Sequence, residues 1–187
     1  MTFNEMVDLL VNKHGFVPIE PLVSNERSDI FTKRFKESIK TVRMTATWLT
    51  SRGYKNVKVM ESRIAPSYSQ WREYVDNGDI YVGKHRVEVK GLGPKYKFTK
   101  SSEYPWKNVI VCAKHSFDMA NPKPVVYLLW NNDRTHVGCI PTSTYGDWYV
   151  RTIKDPKYPH SQDFYVTDKK NMTILERFRK SEQLSII

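Results

Sequence analysis

Two short apolar runs, Asp79-Ile80-Tyr81-Val82 and His85-Arg86-Val87-Glu88-Val89-Lys90, are separated only by Gly83-Lys84. So short a connection turns the chain straight back on itself, and glycine at the first central position suits a type II′ hairpin turn. The register follows: Val82 faces His85, Tyr81 faces Arg86, Ile80 faces Val87, and Asp79 lies opposite Glu88, with Cβ atoms roughly 5 Å apart. Strand alternation sends Glu88 and Lys90 to one face and turns Val87 and Val89 the other way, into a core. Two like charges in one cross-strand pair are unfavourable unless something neutralises them, and a divalent cation held by carboxylate oxygens does so. Mg²⁺ suits such a pair because it prefers oxygen ligands and is commonly bound by one or two carboxylates plus a phosphate. Lys90 would then lie within reach of an attacking water. As ordinary strand residues, the same three side chains would form only surface ion pairs.

Around the hairpin the pattern reads as one α/β domain over residues 1–187, with 1–28 as an N-terminal appendage. Phe3, Met6, Val7 and Leu10 recur at helical spacing. From Asp29 a longer helix is predicted, with Phe31, Phe35, Ile39, Val42, Ala46 and Leu49 as its apolar stripe and Gly53 as its stop. Val57 to Met60 reads as a first strand, while Trp71 to Val75 fits a strand or a helix. Asn108–Ala113, Val125–Trp130 and His136–Ile140 are expected to complete the same sheet, the last two joined through a polar turn at Asn131 to Arg134. Phe164 to Val166 reads as a last short strand. Thr173 to Lys180 reads as a terminal helix burying Ile174, Leu175 and Phe178.

Thirty Lys and Arg against twenty Asp and Glu give a net charge of +10, which favours a phosphate polymer as partner through counterion release. The interleaved Lys95-Tyr96-Lys97-Phe98-Thr99-Lys100 offers phosphate contacts and base stacking, and Trp106, Lys107, Asn108 and Lys114 are candidates to line the same cleft. The two cysteines, Cys112 and Cys139, sit in apolar runs without a CxxC pair and read as core residues. His115 and His136 stand three positions from them but lack the glycine-containing knuckles of most structural zinc sites, and no histidine pair has helical i, i+4 spacing. No Walker or dinucleotide glycine loop is present, so motor ATPase and NAD chemistry find no support. Met1 to Lys13 lacks the basic start and long apolar run of a secretion signal, and no stretch reaches the roughly 20 apolar residues that cross a bilayer. The expectation is a soluble protein of a reducing cytoplasm.

The segments Gly78-Asp79-Ile80 and Val87-Glu88-Val89-Lys90-Gly91, with eight residues between Asp79 and Glu88, resemble the signature of the PD-(D/E)xK nuclease superfamily. The helix from Asp29, the strand near Val57, the hairpin and the strand from Asn108 are similar in order to that fold, so the resemblance spans roughly residues 29–140. It implies a restriction-endonuclease-like core, a central mixed β-sheet flanked by helices. It further implies that Asp79, Glu88 and the Val89 carbonyl bind Mg²⁺, for which Mn²⁺ substitutes, and that Lys90 serves the attacking water. Many members add an acidic residue from the preceding helix; Glu37 is the candidate there, and Glu61, at the end of the first strand, competes with it. Gly78 departs from the name-giving proline. The expected activity is metal-dependent phosphodiester hydrolysis, endonuclease chemistry on DNA before RNA, in a setting such as a bacteriophage or bacterium (host cytoplasm if viral), from a monomer or a homodimer. The alternatives are a non-catalytic DNA-binding protein that keeps a nuclease-like fold, and a basic interaction protein with no nucleic-acid role.

Overall fold

The computed structural model describes residues 25–60, 78–154 and 161–178. The expected helix at Phe3 to Leu10, the segment Trp71 to Val75, the side chains of Phe31 and Phe35, and Glu61 lie outside the described residues or side chains. Helix α1, Asn25–Ser51, begins four residues before the predicted start. It ends where expected: Gly53 takes φ +88°, and the Tyr54 amide donates to the Leu49 carbonyl at 3.2 Å, closing the last turn.

Six strands form the main sheet in the order β1-β2-β3-β5-β6-β9, where β1 is Val57–Val59, β2 Ile80–Val82, β3 His85–Gly91, β5 Val126–Trp130, β6 His136–Pro141 and β9 Thr173–Glu176. Neighbours are antiparallel except β3 and β5, which run parallel, so the sheet is mixed. The hairpin register is the predicted one, Ile80 to Val87, Tyr81 to Arg86 and Val82 to His85, and Gly83 has the positive φ, +60°, that such a turn demands.

Two expectations are corrected. Strand β4, Asn108–Ala113, does not join the main sheet; with β8, Ser161–Asp168, and β7, Tyr149–Lys154, it forms a second sheet in the order β4-β8-β7. A bulge between Ile110 and Cys112 turns the consecutive Val111 and Cys112 inward, so β4 buries an apolar face against the far side of the main sheet. Thr173 to Glu176 is strand β9, not a helix, because the open edge of β6 offers backbone partners from His136 to Cys139 and short extended residues fill them. Phe178, expected to be buried, is exposed.

Each face of the main sheet therefore has its own core. Toward α1, Val42, Trp48 and Leu49 pack on Ile80, Val82, Val87, Val89, Leu128 and Trp130. On the opposite face Tyr127, Leu129 and Ile140 meet Val109, Val111 and Cys112 of β4 and Tyr165 of β8, with Phe117 of the short helix α2, Lys114–Met119, alongside. Both cysteines are buried and free, as expected. Among the described residues no helix is long and apolar enough to cross a membrane.

A buried polar contact ties helix α1 to the sheet. The Trp130 indole N–H donates to the Thr45 hydroxyl at 2.7 Å, Thr45 in turn donates to the Thr41 carbonyl, and Trp48 packs edge-on against Trp130 at 5.3 Å. Thr45→Val keeps the shape and orphans the indole N–H, so chemical denaturation should show a loss of about 1–3 kcal/mol. Thr47→Val, on the exposed side of the same helix, is expected to change stability by under about 0.5 kcal/mol.

Candidate active site

Asp79 precedes β2, and Glu88 and Lys90 stand on the adjacent β3. Extending the hairpin register by one pair sets Asp79 across from Glu88. Val87 and Val89 point to α1, so Arg86, Glu88 and Lys90 point into the layer between the two sheets. The three residues singled out by sequence are thus gathered on one face, and that face is largely covered.

The hairpin ladder stops at Asp79 for a local reason. Gly78, with φ +103°, turns the backbone away, and the Asp79 carboxylate replaces the missing partner by accepting the Val89 amide at 2.9 Å. A strand residue directs its N–H and C=O toward the same neighbour, so the Val89 carbonyl also points to the side where Asp79 sits. Asp79 is buried, 5% exposed. The glycine at position 78 is explained by the same geometry: a Cβ there would stand 2.8 Å from Arg86 Nε, and proline could not adopt the positive φ.

Glu88 is neutralised from within the chain. Arg86 Nε donates to Glu88 Oε1 at 2.7 Å, and both side chains are mostly buried. Residues i and i+2 of a strand share a face, so alternation along β3 brings this guanidinium to Glu88 and supplies a counter-charge from within the chain. Lys90 donates to the Val111 carbonyl of β4 at 2.5 Å. Burial lowers its pKa, against the opposing pull of Cys112, Glu88 and Asp79. Burial likewise pushes up the Cys112 thiol and the Tyr127 phenol beside it. All three shifts favour the neutral form and mark the layer as poorly hydrated, where a charge interacts strongly with its neighbours.

Oxygen donors for a hard divalent cation are present in Asp79, Glu88 and the Val89 carbonyl, which fits Mg²⁺ or Mn²⁺ in donor type. Two of these oxygens are engaged, one by the Val89 amide and one by Arg86, so a cation would have to displace the Arg86 contact. Among the described residues no group of three or more His, Cys, Asp or Glu side chains converges on one point. Glu37 is exposed on α1 and pairs with Lys40 at 2.9 Å. His115 is half-buried on α2, and burial lowers its pKa.

Four of the five basic candidates lie on the loop from β3 to β4, and Lys114 opens α2 after β4. Lys95, Lys97, Lys100 and Lys107 are exposed, whereas Lys114 is partly covered and pairs with Asp118. The aromatics interleaved with Lys95, Lys97 and Lys100 pack inward rather than offering stacking surfaces, since Phe98 is fully buried and Tyr96 packs on Tyr104 at 5.6 Å, whereas Trp106, before Lys107, is exposed. No protein-family model, curated protein or solved structure matches the chain.

Lys90 gives the site a pH signature. Below its lowered pKa the amine is charged in both states and its burial opposes folding. Between that value and the ordinary 10.5, the unfolded chain holds a proton that the folded chain has shed, so stability rises with pH. Lys90→Met removes this contribution. Stability curves of the two proteins should converge, the wild type gaining on the variant as pH approaches 10.5; parallel curves would show that Lys90 is not desolvated.

Proposed function

We propose that the chain is a metal-dependent nuclease of the PD-(D/E)xK type, with Asp79, Glu88 and Lys90 as its catalytic core and DNA as its substrate. The observation that carries this reading is the convergence of two carboxylates and one desolvated lysine on a single face of adjacent strands. The mixed sheet with α1 on one face is compatible with the reading, although its other face is covered chiefly by a second sheet and not by the flanking helices expected of a restriction-endonuclease-like core. The net charge of +10 supplies attraction to a phosphate backbone.

Asp79, Glu88 and the Val89 carbonyl would hold Mg²⁺, which when bound polarises the scissile phosphate and lowers the pKa of the attacking water. Arg86, released from Glu88, stays at the site beside Gly78 as a planar donor suited to a phosphate oxygen. Lys90, biased toward its neutral amine by burial, turns from the Val111 carbonyl to accept the proton of the water that attacks in line with the leaving oxygen. The apolar walls from Tyr127 and Cys112 exclude competing water and strengthen each of these contacts.

A second reading, a DNA-binding protein that has kept the fold without the chemistry, is favoured by one observation: Glu88 and Lys90 are each already engaged, by Arg86 and by the Val111 carbonyl. Cleavage separates the two. Labelled single-stranded, duplex, nicked, flapped and four-way DNAs are incubated with Mg²⁺, Mn²⁺ or EDTA, wild type beside Lys90→Ala and Asp79→Asn, the latter keeping an oxygen for the Val89 amide. The expected result is metal-dependent cutting that falls by about 100-fold or more in Lys90→Ala, the scale of a lost general base. Tight binding with no cutting under any condition would transfer the case to the second reading, and cutting unchanged in both variants would remove these residues from the chemistry.

A further inference from the structure

Trp106 is a large aromatic side chain that the fold leaves in solvent within a lysine-rich stretch of the surface. It is 54% exposed, while every aromatic just upstream of it is wholly or partly buried. The reason lies in Tyr104. Tyr96 and Phe98 pack on the Tyr104 ring at 5.6 and 5.5 Å, so the loop folds inward there and the residues that alternate with these rings, Lys95 and Lys97, turn out to solvent. Trp106 follows Pro105 and lies beyond this knot, with Lys107 exposed beside it.

A second segment joins the patch from far along the chain. The Lys169 amide donates to the Lys107 carbonyl at 3.1 Å, and the Lys169 amine reaches the carbonyls of Ser102 and Tyr104 at 3.2 and 3.4 Å. These contacts hold the turn Lys169–Asn171 against the loop and bring exposed Lys170 to the same region. Two acids share the region and keep their charge, Glu103, which accepts the Thr99 amide and hydroxyl at 2.9 and 2.8 Å and pairs with Lys100 at 3.5 Å, and Asp168, which accepts the Lys170 amide at 2.9 Å; Lys95, Lys97, Lys107, Lys169 and Lys170 outnumber them. The region therefore combines one exposed indole with a surplus of lysine amines on a rigid support.

From this geometry we infer that Trp106, Lys107 and Lys170 form a docking surface for single-stranded DNA, with the indole stacked on an unpaired base and the lysines on flanking phosphates. An indole can stack only on a base whose face is open, so the surface selects unpaired strand over duplex, whose bases already stack on one another. Lysine amines on either side act as point charges on the backbone and carry no sequence preference. The inference deepens the nuclease reading, on which its biological purpose rests, by naming the substrate class: DNA with a single-stranded portion.

Binding is read in EDTA, where metal-dependent cutting is switched off, so failure here and failure of cleavage are separate results. Full-length protein is titrated with fluorescent oligo(dT) of about 16 nucleotides, with a duplex and with oligo(rU), for wild type, Trp106→Ala, Trp106→Phe and the Lys107→Ala/Lys170→Ala double variant. Trp106→Ala should lose about tenfold in oligo(dT) affinity and Trp106→Phe much less, with duplex affinity unchanged in both. The double lysine variant should flatten the plot of log affinity against log salt by about 0.7 per amine removed. Oligo(dT) affinity unchanged in Trp106→Ala, equal losses for oligo(dT) and duplex, or tighter binding of oligo(rU) than of oligo(dT) would each overturn the assignment.

Discussion

Strand β3 is buried on both faces, and alternation along it sends apolar and charged side chains in opposite directions. Toward α1 this is ordinary packing: Val87 and Val89 join Leu49, Leu128 and Trp130. On the other face Arg86, Glu88 and Lys90 enter a layer closed by a second sheet, where an unpartnered charge costs several kcal/mol. Each polar group there is consequently given a specific partner: Glu88 the Arg86 guanidinium, Lys90 the Val111 carbonyl, and the Val89 amide the Asp79 carboxylate. These pairings constrain their surroundings in turn. Position 78 must be glycine to make room for Arg86, and the bulge in β4 sets the backbone that receives Lys90.

The same constraint links the site to the surface. After Gly91 the chain leaves the main sheet, folds Tyr96 and Phe98 onto Tyr104, exposes Trp106, and returns as β4 to place Val111 over Lys90. Asn131 fastens this excursion to the turn between β5 and β6, donating to the Phe98 carbonyl at 3.0 Å while its own oxygen accepts the amides of Thr135 and His136. One continuous segment thus carries both the partner that holds the lysine and the aromatic we assign to single-stranded DNA. Movement of β4 would be felt at each.

What was legible in the sequence was local. The two-residue turn, the alternation of Val87 and Val89 and the opposition of Asp79 and Glu88 follow from strand period alone, and the hairpin register agrees pair by pair. What was not legible depended on long-range pairing. Nothing in Asn108 to Ala113 says that it joins β8 rather than β3, because both choices bury the same valines. Thr173 to Glu176 has apolar spacing compatible with a helical turn, and only the unsatisfied edge of β6 makes it a strand. The role of Arg86 was within reach of the same alternation rule that found Glu88 and Lys90, but a search for metal ligands passes over a cation. Burial of Phe98 shows the converse: interleaved lysines and aromatics mark a loop crossing the rim of a core as readily as a nucleic-acid surface.

In the proposed nuclease reading, Asp79 and Glu88 would form a cation site, at which the Arg86 guanidinium now pairs with Glu88. Calorimetric titration of Mn²⁺ into the DNA-free protein tests it directly, with wild type beside Glu88→Gln and Arg86→Gln. Saturable binding at one site is predicted for the wild type, abolished by Glu88→Gln and tightened by Arg86→Gln, in which the competing cation is gone. Mn²⁺ binding that is the same in all three proteins, or weakened by loss of Arg86, would contradict the account.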